Sequence, residues 1–330
     1  MKSTIKRYAL LAALVLCFAG LGQAEEIYVT DATDLFYMDE GAVYKITDWG
    51  QIELVAYGFP LMSPSGILYD KANNDVDEFF VTDIGGFYDY YDGGLFKVTE
   101  DGQVEEIFFG YPFTSPFGIL KKGCCTLYVS DFGSPFPGNY DGAVYKINLD
   151  PDEDGQVGPY PLDASAIVPV YAGFPLEGVN QMLWLNSNEI LMADDSGTLH
   201  VLDLKDETVE SFGPDVNDPV GLARLANEQA YVVADALGQM LYFMDWKGTE
   251  VSLELMGTPG PDQFLGVDVT ASKKVVLANA GDLGVFGPAD GEVIIFDDEN
   301  IGILYSGDPL ISPFCVEAIN KGKSIFFEEE

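Results

Sequence analysis

Positive charge is what this 330-residue chain has least of: 16 Lys and Arg stand against 54 Asp and Glu, a formal net charge of −38. Such a surface repels nucleic acid and anionic lipid, which excludes both as partners. Histidine is almost missing too. His200 is alone, inside the strand-like run Thr198-Leu199-His200-Val201-Leu202, so it reads as a structural side chain and no imidazole serves a Ser or Cys relay. The four Cys lack the count and spacing of a disulfide framework or a zinc site. No Gly-x-Ser-x-Gly elbow, phosphate-cradling loop or dinucleotide fingerprint occurs. Past the first two dozen residues no apolar run is long enough to cross a bilayer as a helix, so no membrane insertion is expected.

What is present begins with a leader. Lys2, Lys6 and Arg7 precede an apolar run from Tyr8 to about Gly22, and Gly22-Gln23-Ala24 closes it with small residues. This is the pattern of a signal peptide over residues 1–24, cleaved near Ala24, which predicts a secreted or periplasmic protein with one domain over 25–330. Three readings of the acidity are open: solubility in a high-salt habitat, attraction of cations or basic ligands, and several specific Ca²⁺ sites. Apolar residues make up 48% of the chain, with many Val, Ile, Phe and Tyr at strand periodicity, which excludes disorder. Adjacent Cys124 and Cys125 read as two partly buried small residues beside a turn, with a vicinal disulfide as the alternative.

The chain repeats itself. Tyr28-Val29-Thr30-Asp31, Phe80-Val81-Thr82-Asp83 and Tyr128-Val129-Ser130-Asp131 are one strand ending in one aspartate, with looser copies ending at Asp194, Asp235 and Asn279. A second strand follows each, as in Gly41-Ala42-Val43-Tyr44-Lys45-Ile46 and Gly142-Ala143-Val144-Tyr145-Lys146-Ile147. A third copied element, Ser63-Pro64-Ser65-Gly66-Ile67 and Ser115-Pro116-Phe117-Gly118-Ile119, follows the turns Gly58-Phe59-Pro60 and Gly110-Tyr111-Pro112. The strand ends step by 52, 48, 63, 41 and 44 residues, which is blade spacing. The prediction is an all-β, six-bladed β-propeller, with a seventh blade only if the 63-residue interval hides one. The domain opens in the second strand of a unit and ends on an inner-strand copy near Cys315, so strands from both termini close one blade and remove a free edge.

The longest connections join second to third strands in units one, two, three and six, on one face of the ring. They bring Phe36, Tyr37, Phe87, Tyr88, Tyr90, Tyr91, Phe132 and Tyr140 together with acids. Aromatic faces beside carboxylates suit a small molecule, a glycan or a partner protein. The competing reading is that these rings pack down onto the blades. The strand-end aspartates, repeated with the fold, are expected to accept backbone N–H bonds in the turns that follow, or else to share a cation. Separately, Asp150, Asp152, Asp154 and Gln156 alternate like the opening half of a Ca²⁺ loop, with Asp163 as a late ligand. Pro161 stands where such a loop ends in Glu, so a structural calcium site and a solvated acidic insertion are both open.

The Pro-x-Gly-Ile, Tyr-Val-Ser-Asp and Gly-x-Val-Tyr-Lys rhythm over residues 26–330 resembles the NHL-repeat and SMP-30/gluconolactonase-like propellers, including the secreted ScyD/ScyE group. The resemblance implies a propeller and, for the lactonases among them, a divalent cation in the central channel held by Glu, Asn and Asp. Here the Asn position reads Phe117 and Ser65, and no early Glu-Gly-Pro motif exists, so the cage is incomplete. What the resemblance leaves as channel candidates is Asp131, Asn180, Asp194 and Asp235. The reading is an acidic, secreted binding or accessory propeller using its long-loop face. The alternatives are a metal-dependent hydrolase or lyase acting on a small lactone or ester, and a structural extracellular component.

Overall fold

The structure is a computed structural model that describes residues 25–32, 40–47, 50–71, 77–85, 93–133, 142–151, 157–225, 230–236, 240–245, 247–255, 264–280, 291–297, 300–306 and 309–319. Its 24 described strands form six four-stranded antiparallel sheets. Five sheets are built from consecutive strands. In the first, the C-terminal strand Pro313–Ile319 lies inside Glu26–Asp31, pairing Tyr28 with Glu317 and Thr30 with Cys315. The six inner strands touch in order round a closed ring. This is a six-bladed β-propeller closed by strands from both ends of the domain. The 63-residue interval holds no further blade, because its extra residues connect the third strand Ala143–Asn148 to the outer strand Ile167–Ala172.

Burial follows from blade packing. The second strand of each blade is covered on both faces, so Thr126–Asp131 is buried from Leu127 onward, without alternation. Outer strands such as Val104–Phe109 keep exposed glutamates. Apolar layers fill the wedges between blades; Tyr28 and Phe79, both fully buried, meet at 4.2 Å between ring centres. Each such side chain contributes about 1.5–3 kcal/mol through burial.

An inner strand has one edge unpaired toward the channel, and its backbone groups need partners. Side chains of the preceding blade supply them. Ser65 Oγ donates to Pro116 O (2.7 Å) and Asn180 Nδ2 to Pro219 O (3.1 Å). Gln181 Oε1 accepts from Leu222 N (2.7 Å) and Asp268 Oδ2 from Ala318 N (2.7 Å). The hydroxyl before each of the first three strand-end aspartates does the same work. Thr82 accepts from Gly66 N (2.8 Å) and donates to Phe117 O of the next blade. Gly66 is required there, since a Cβ would stand 1.9 Å from Phe117 O.

The strand-end aspartates clamp the turn that enters their own blade. Asp83 is fully buried and accepts from Met62 N (2.7 Å), Ser63 N (3.0 Å) and Gly85 N (2.7 Å). Asp31 takes Ile311 N and Ser312 N across the closure. Burial pushes the Asp83 carboxyl up to about 6, against the lowering effect of these N–H bonds.

Two side chains need comment. Cys124 and Cys125 are disulfide-bonded to each other on the hairpin between Pro116–Lys122 and Thr126–Asp131, and Cys124 is exposed; the reading of two partly buried small residues is corrected. His200 is buried, as a structural side chain should be, but it makes no hydrogen bond of good geometry among the described residues. Burial lowers its pKa.

Candidate metal centre

One face of the ring, here called upper, carries the strand-end aspartates and the connections from second to third strand. The lower face carries the other ends. Among the described residues one group of three acids has ligand atoms all within 4.8 Å of one another: Glu26, Asp77 and Glu100, on the lower face where blades one and two meet.

Each arrives from a different element. Glu26 opens the strand Glu26–Asp31 and, two residues before Tyr28, projects from the same side. Asp77 opens Asp77–Asp83, and Glu100 sits in the turn after Gly94–Thr99, its N–H on Asp77 O (3.0 Å). Lys45, diagonal to Glu26 across the strand pair, reaches Glu26 Oε1 (2.8 Å) and Glu100 Oε1 (2.7 Å). Tyr28 Oη donates toward Glu26 Oε2 and Glu100 Oε1, each at 3.3 Å, and Tyr69 Oη donates to Asp77 Oδ1 (2.6 Å).

Three carboxylates and one ammonium leave an excess of negative charge in a half-buried place. Burial works to lower the Lys45 ammonium, but its bonds to Glu100 and Glu26 outweigh that and hold it above its usual value. Burial first, then the charges of Glu26, Glu100 and Asp77, raise the Tyr28 phenol, which stays protonated. The three acids are positioned to coordinate a divalent cation. The all-oxygen donor set fits a hard ion such as Ca²⁺, Mg²⁺ or Mn²⁺ rather than zinc.

Among the described residues the channel offers no comparable place. Phe117, Val220, Leu265 and Phe314 from four blades meet there, with the Phe117 and Phe314 rings 5.9 Å apart. Below them Gln181 Nε2 donates to Cys315 Sγ (3.0 Å) between opposite blades. The cavity left at this level is about 10 Å³, room for about one water. An apolar plug of this kind does not fit a channel cation.

The residues singled out from sequence fall as follows. Asp131 accepts from Thr114 N (2.8 Å), Ser115 N (3.1 Å) and Gly133 N (2.8 Å), and burial raises its carboxyl. Asp194 accepts from Glu177, Gly178 and Ser196 N–H groups, and Asp235 from Asp218 N and Tyr242 Oη. With Asn180 on Pro219 O, these four engage their own or the next blade and do not form an acid cluster among the described residues. Phe132 is half-buried, its ring lying where a Cβ on Gly178 would be, 2.7 Å from Cε2. Phe36, Tyr37, Phe87, Tyr88, Tyr90, Tyr91 and Tyr140 lie outside the described residues, as do Asp152, Asp154 and Gln156. Of that proposed calcium loop, Asp150 is buried and its N–H bonds Asn148 Oδ1 (3.1 Å), while Asp163 is exposed just ahead of the short helix Ala164–Ala166.

No protein-family model matches the sequence, and no curated protein matches it. Solved structures match the fold. A chain of a nidogen/laminin complex superposes with a TM-score of 0.62 at 10% identity, covering 90% of this chain and 98% of that one. The periplasmic gluconolactonase PpgL of Pseudomonas aeruginosa gives 0.56 at 14% identity, over 85% and 82% of the two chains. A streptogramin B lyase gives 0.53 at 12%, over 83% and 79%. The resemblance to gluconolactonase-like propellers therefore stands at the level of the fold. No helix among the described residues is long and apolar enough to cross a membrane.

Proposed function

We propose that the protein binds a divalent cation through Glu26, Asp77 and Glu100, and that the cation serves hydrolase- or lyase-type chemistry on a small lactone or ester. The observation that carries the proposal is the convergence of three carboxylates, with ligand atoms within 4.8 Å of one another, beside a single ammonium that pairs with two of them. Support for the chemistry comes from the lactonase and the lyase among the similar folds, both enzymes by name. A bound cation would supply Lewis acidity to a substrate oxygen. Lys45 would give up its place to the cation, and the fully buried Tyr28 hydroxyl would steady Glu26 and Glu100.

The prediction is direct. Ca²⁺ or Mn²⁺ will raise the melting temperature, by the equivalent of about 2.7 kcal/mol at a hundred times the Kd. Asp77→Asn and Glu100→Gln will abolish the rise. Lys45→Gln, which removes the competing ammonium, will tighten the cation about tenfold or more. Turnover of a lactone and aryl-ester panel will then disappear with chelator and return with cation. Absence of any cation-dependent rise would overturn the proposal.

A second reading, a binding or accessory protein working from the upper face, has its own support. The channel is plugged by apolar side chains, and a similar propeller comes from a nidogen/laminin complex. Under this reading the cation holds blades one and two together and no substrate is turned over. Secretion or periplasmic export remains part of both readings, on the strength of the leader in residues 1–24.

A further inference from the structure

The wedges between neighbouring blades are not filled alike. At the lower end of the wedge between blades one and two, Lys45 and Tyr28 lie cross-strand from each other, and Tyr69 packs against Phe79 in blade two. Between blades two and three Lys97 takes the same place, over the Tyr160 ring. The strand registers put Val201 and Leu191 of blade four where Lys45 and Tyr28 stand, and Arg224 and Tyr231 of blade five where Tyr69 and Phe79 stand. Valine for lysine and leucine for tyrosine leave this wedge short of atoms. A groove of about 440 Å³ opens there on the lower face, within the range of about 300–1,000 Å³ that small-molecule pockets occupy.

Its walls divide by chemistry. Leu185, Val201 and Phe212 give an apolar side, the Phe212 ring meeting Tyr231 edge-on at 6.4 Å. Arg224 and Tyr231 are direct cross-strand partners, so their side chains share one face. Arg224 is exposed, and it is the one arginine after Arg7. Tyr231 is 5% exposed, and its hydroxyl has no hydrogen-bond partner among the described residues. A buried hydroxyl nearly always finds a partner, so one left open on a groove marks where a ligand's acceptor belongs. Burial raises the Tyr231 phenol, outweighing the Arg224 charge that lowers it, and keeps it a donor. On the blade-four side stand two carboxylates: Glu210, cross-strand from Val201, and Glu189, whose Oε2 accepts from Asn186 Nδ2 (2.6 Å).

We propose that this groove binds an apolar α-amino acid, with Arg224 and the Tyr231 hydroxyl on its carboxylate, Glu189 and Glu210 on its ammonium, and Leu185, Val201 and Phe212 on its side chain. The guanidinium fork matches a carboxylate, and the adjoining phenol adds a further donor. A dianion would meet Glu189 and Glu210, and a simple amine would meet Arg224. A ligand that carries both charges is complementary to both walls. The inference rests neither on the cation at Glu26, Asp77 and Glu100 nor on any upper-face ligand.

Isothermal titration calorimetry of residues 25–330 with L-leucine, L-methionine and L-phenylalanine tests it, with their N-acetyl and amide forms as comparators that each lack one charge. Saturable binding of at least one amino acid is expected, with its two derivatives about tenfold weaker or more. Arg224→Gln and Tyr231→Phe should each weaken it about tenfold, the loss of one hydrogen bond to a charged group. Val201→Lys, which restores the side chain that fills the wedge beside blades one and two, should abolish binding while the domain still melts cooperatively. If that variant does not fold, Arg224→Gln, at an exposed position, decides. Binding that these variants leave unchanged would place the ligand elsewhere and overturn the groove. An N-acetyl form that binds as well as the free amino acid would overturn the ammonium contact, and the amino-acid assignment with it. No saturable binding of any of the three would overturn the proposal.

Discussion

Asp83→Ala will lower the melting temperature by about 6–10 °C. Its carboxylate is the acceptor for the N–H groups of Met62, Ser63 and Gly85, all at 3.0 Å or less, in a place with no exposure to water. Alanine leaves three buried donors without that partner, at about 1 kcal/mol each or more, since the group they bond is charged. In a domain of this size about 1 kcal/mol moves the melting point by roughly 2–3 °C. Asp83→Asn keeps the shape and one acceptor oxygen, so it should lose about half as much. Asp194→Asn is expected to behave likewise, because Asp194 holds the Glu177, Gly178 and Ser196 N–H groups in blade four. Thermal unfolding of the three variants checks this. A loss of under 2 °C in Asp83→Ala would mean that the turn is held by something else.

The second large effect is one of pH. Asp268 and Glu317 stand on the inner strands of blades six and one, Glu317 Oε1 accepting from Tyr69 N (3.4 Å) and Asp268 Oδ2 from Ala318 N (2.7 Å). Burial pushes Asp268 up to about 6, and burial together with the Asp268 charge raises Glu317 well above the usual carboxylate range. Asp83 and Asp218, each pushed to about 6 mainly by burial, and Asp131 shift the same way. A carboxyl with a raised folded-state pKa binds more protons folded than unfolded between the two values. Stability therefore falls as pH rises from about 4 through 6 and is lowest above it. His200 opposes this: its lowered value costs stability as pH falls through 6.5. The carboxyls outnumber it, so the melting temperature will rise as pH drops from 7.5 to 5. Glu317→Gln keeps the bond to Tyr69, relieves Asp268 and should add about 1–2 kcal/mol at pH 7.5 while flattening the profile. A melting temperature that falls steadily on acidification would contradict this reading.

The blades were legible because their strands carry the repeat on the surface of the sequence. The Asp-ended second strand, the Pro-x-Gly inner strand and the Lys-bearing third strand each have a structural reason: a clamp, a close approach and an ion pair. Closure by Pro313–Ile319 was readable from the phase at which the repeat starts and stops. The acid cluster was not, because Glu26, Asp77 and Glu100 come from three elements and belong to no motif. One signal for it did exist. In a chain this poor in cations, the repeated Lys of Val-Tyr-Lys needs acids nearby, and Lys45 and Lys97 find Glu26 and Glu78 at the start of the strand beside them. Attention to channel carboxylates went elsewhere because spacing shows which residues recur, while only the third dimension shows that Asp131 and Asp194 face backbone N–H groups. The plug at Phe117 was half visible, as the missing Asn.

The cation at Glu26, Asp77 and Glu100 is the claim on which the functional account stands. Anomalous diffraction from crystals of residues 25–330 grown with Mn²⁺ tests it most directly. The account predicts a peak bonded to oxygens of all three acids, with Lys45 turned aside, and none beneath Phe117 and Phe314. A peak inside the channel, or none between the three acids, would contradict it.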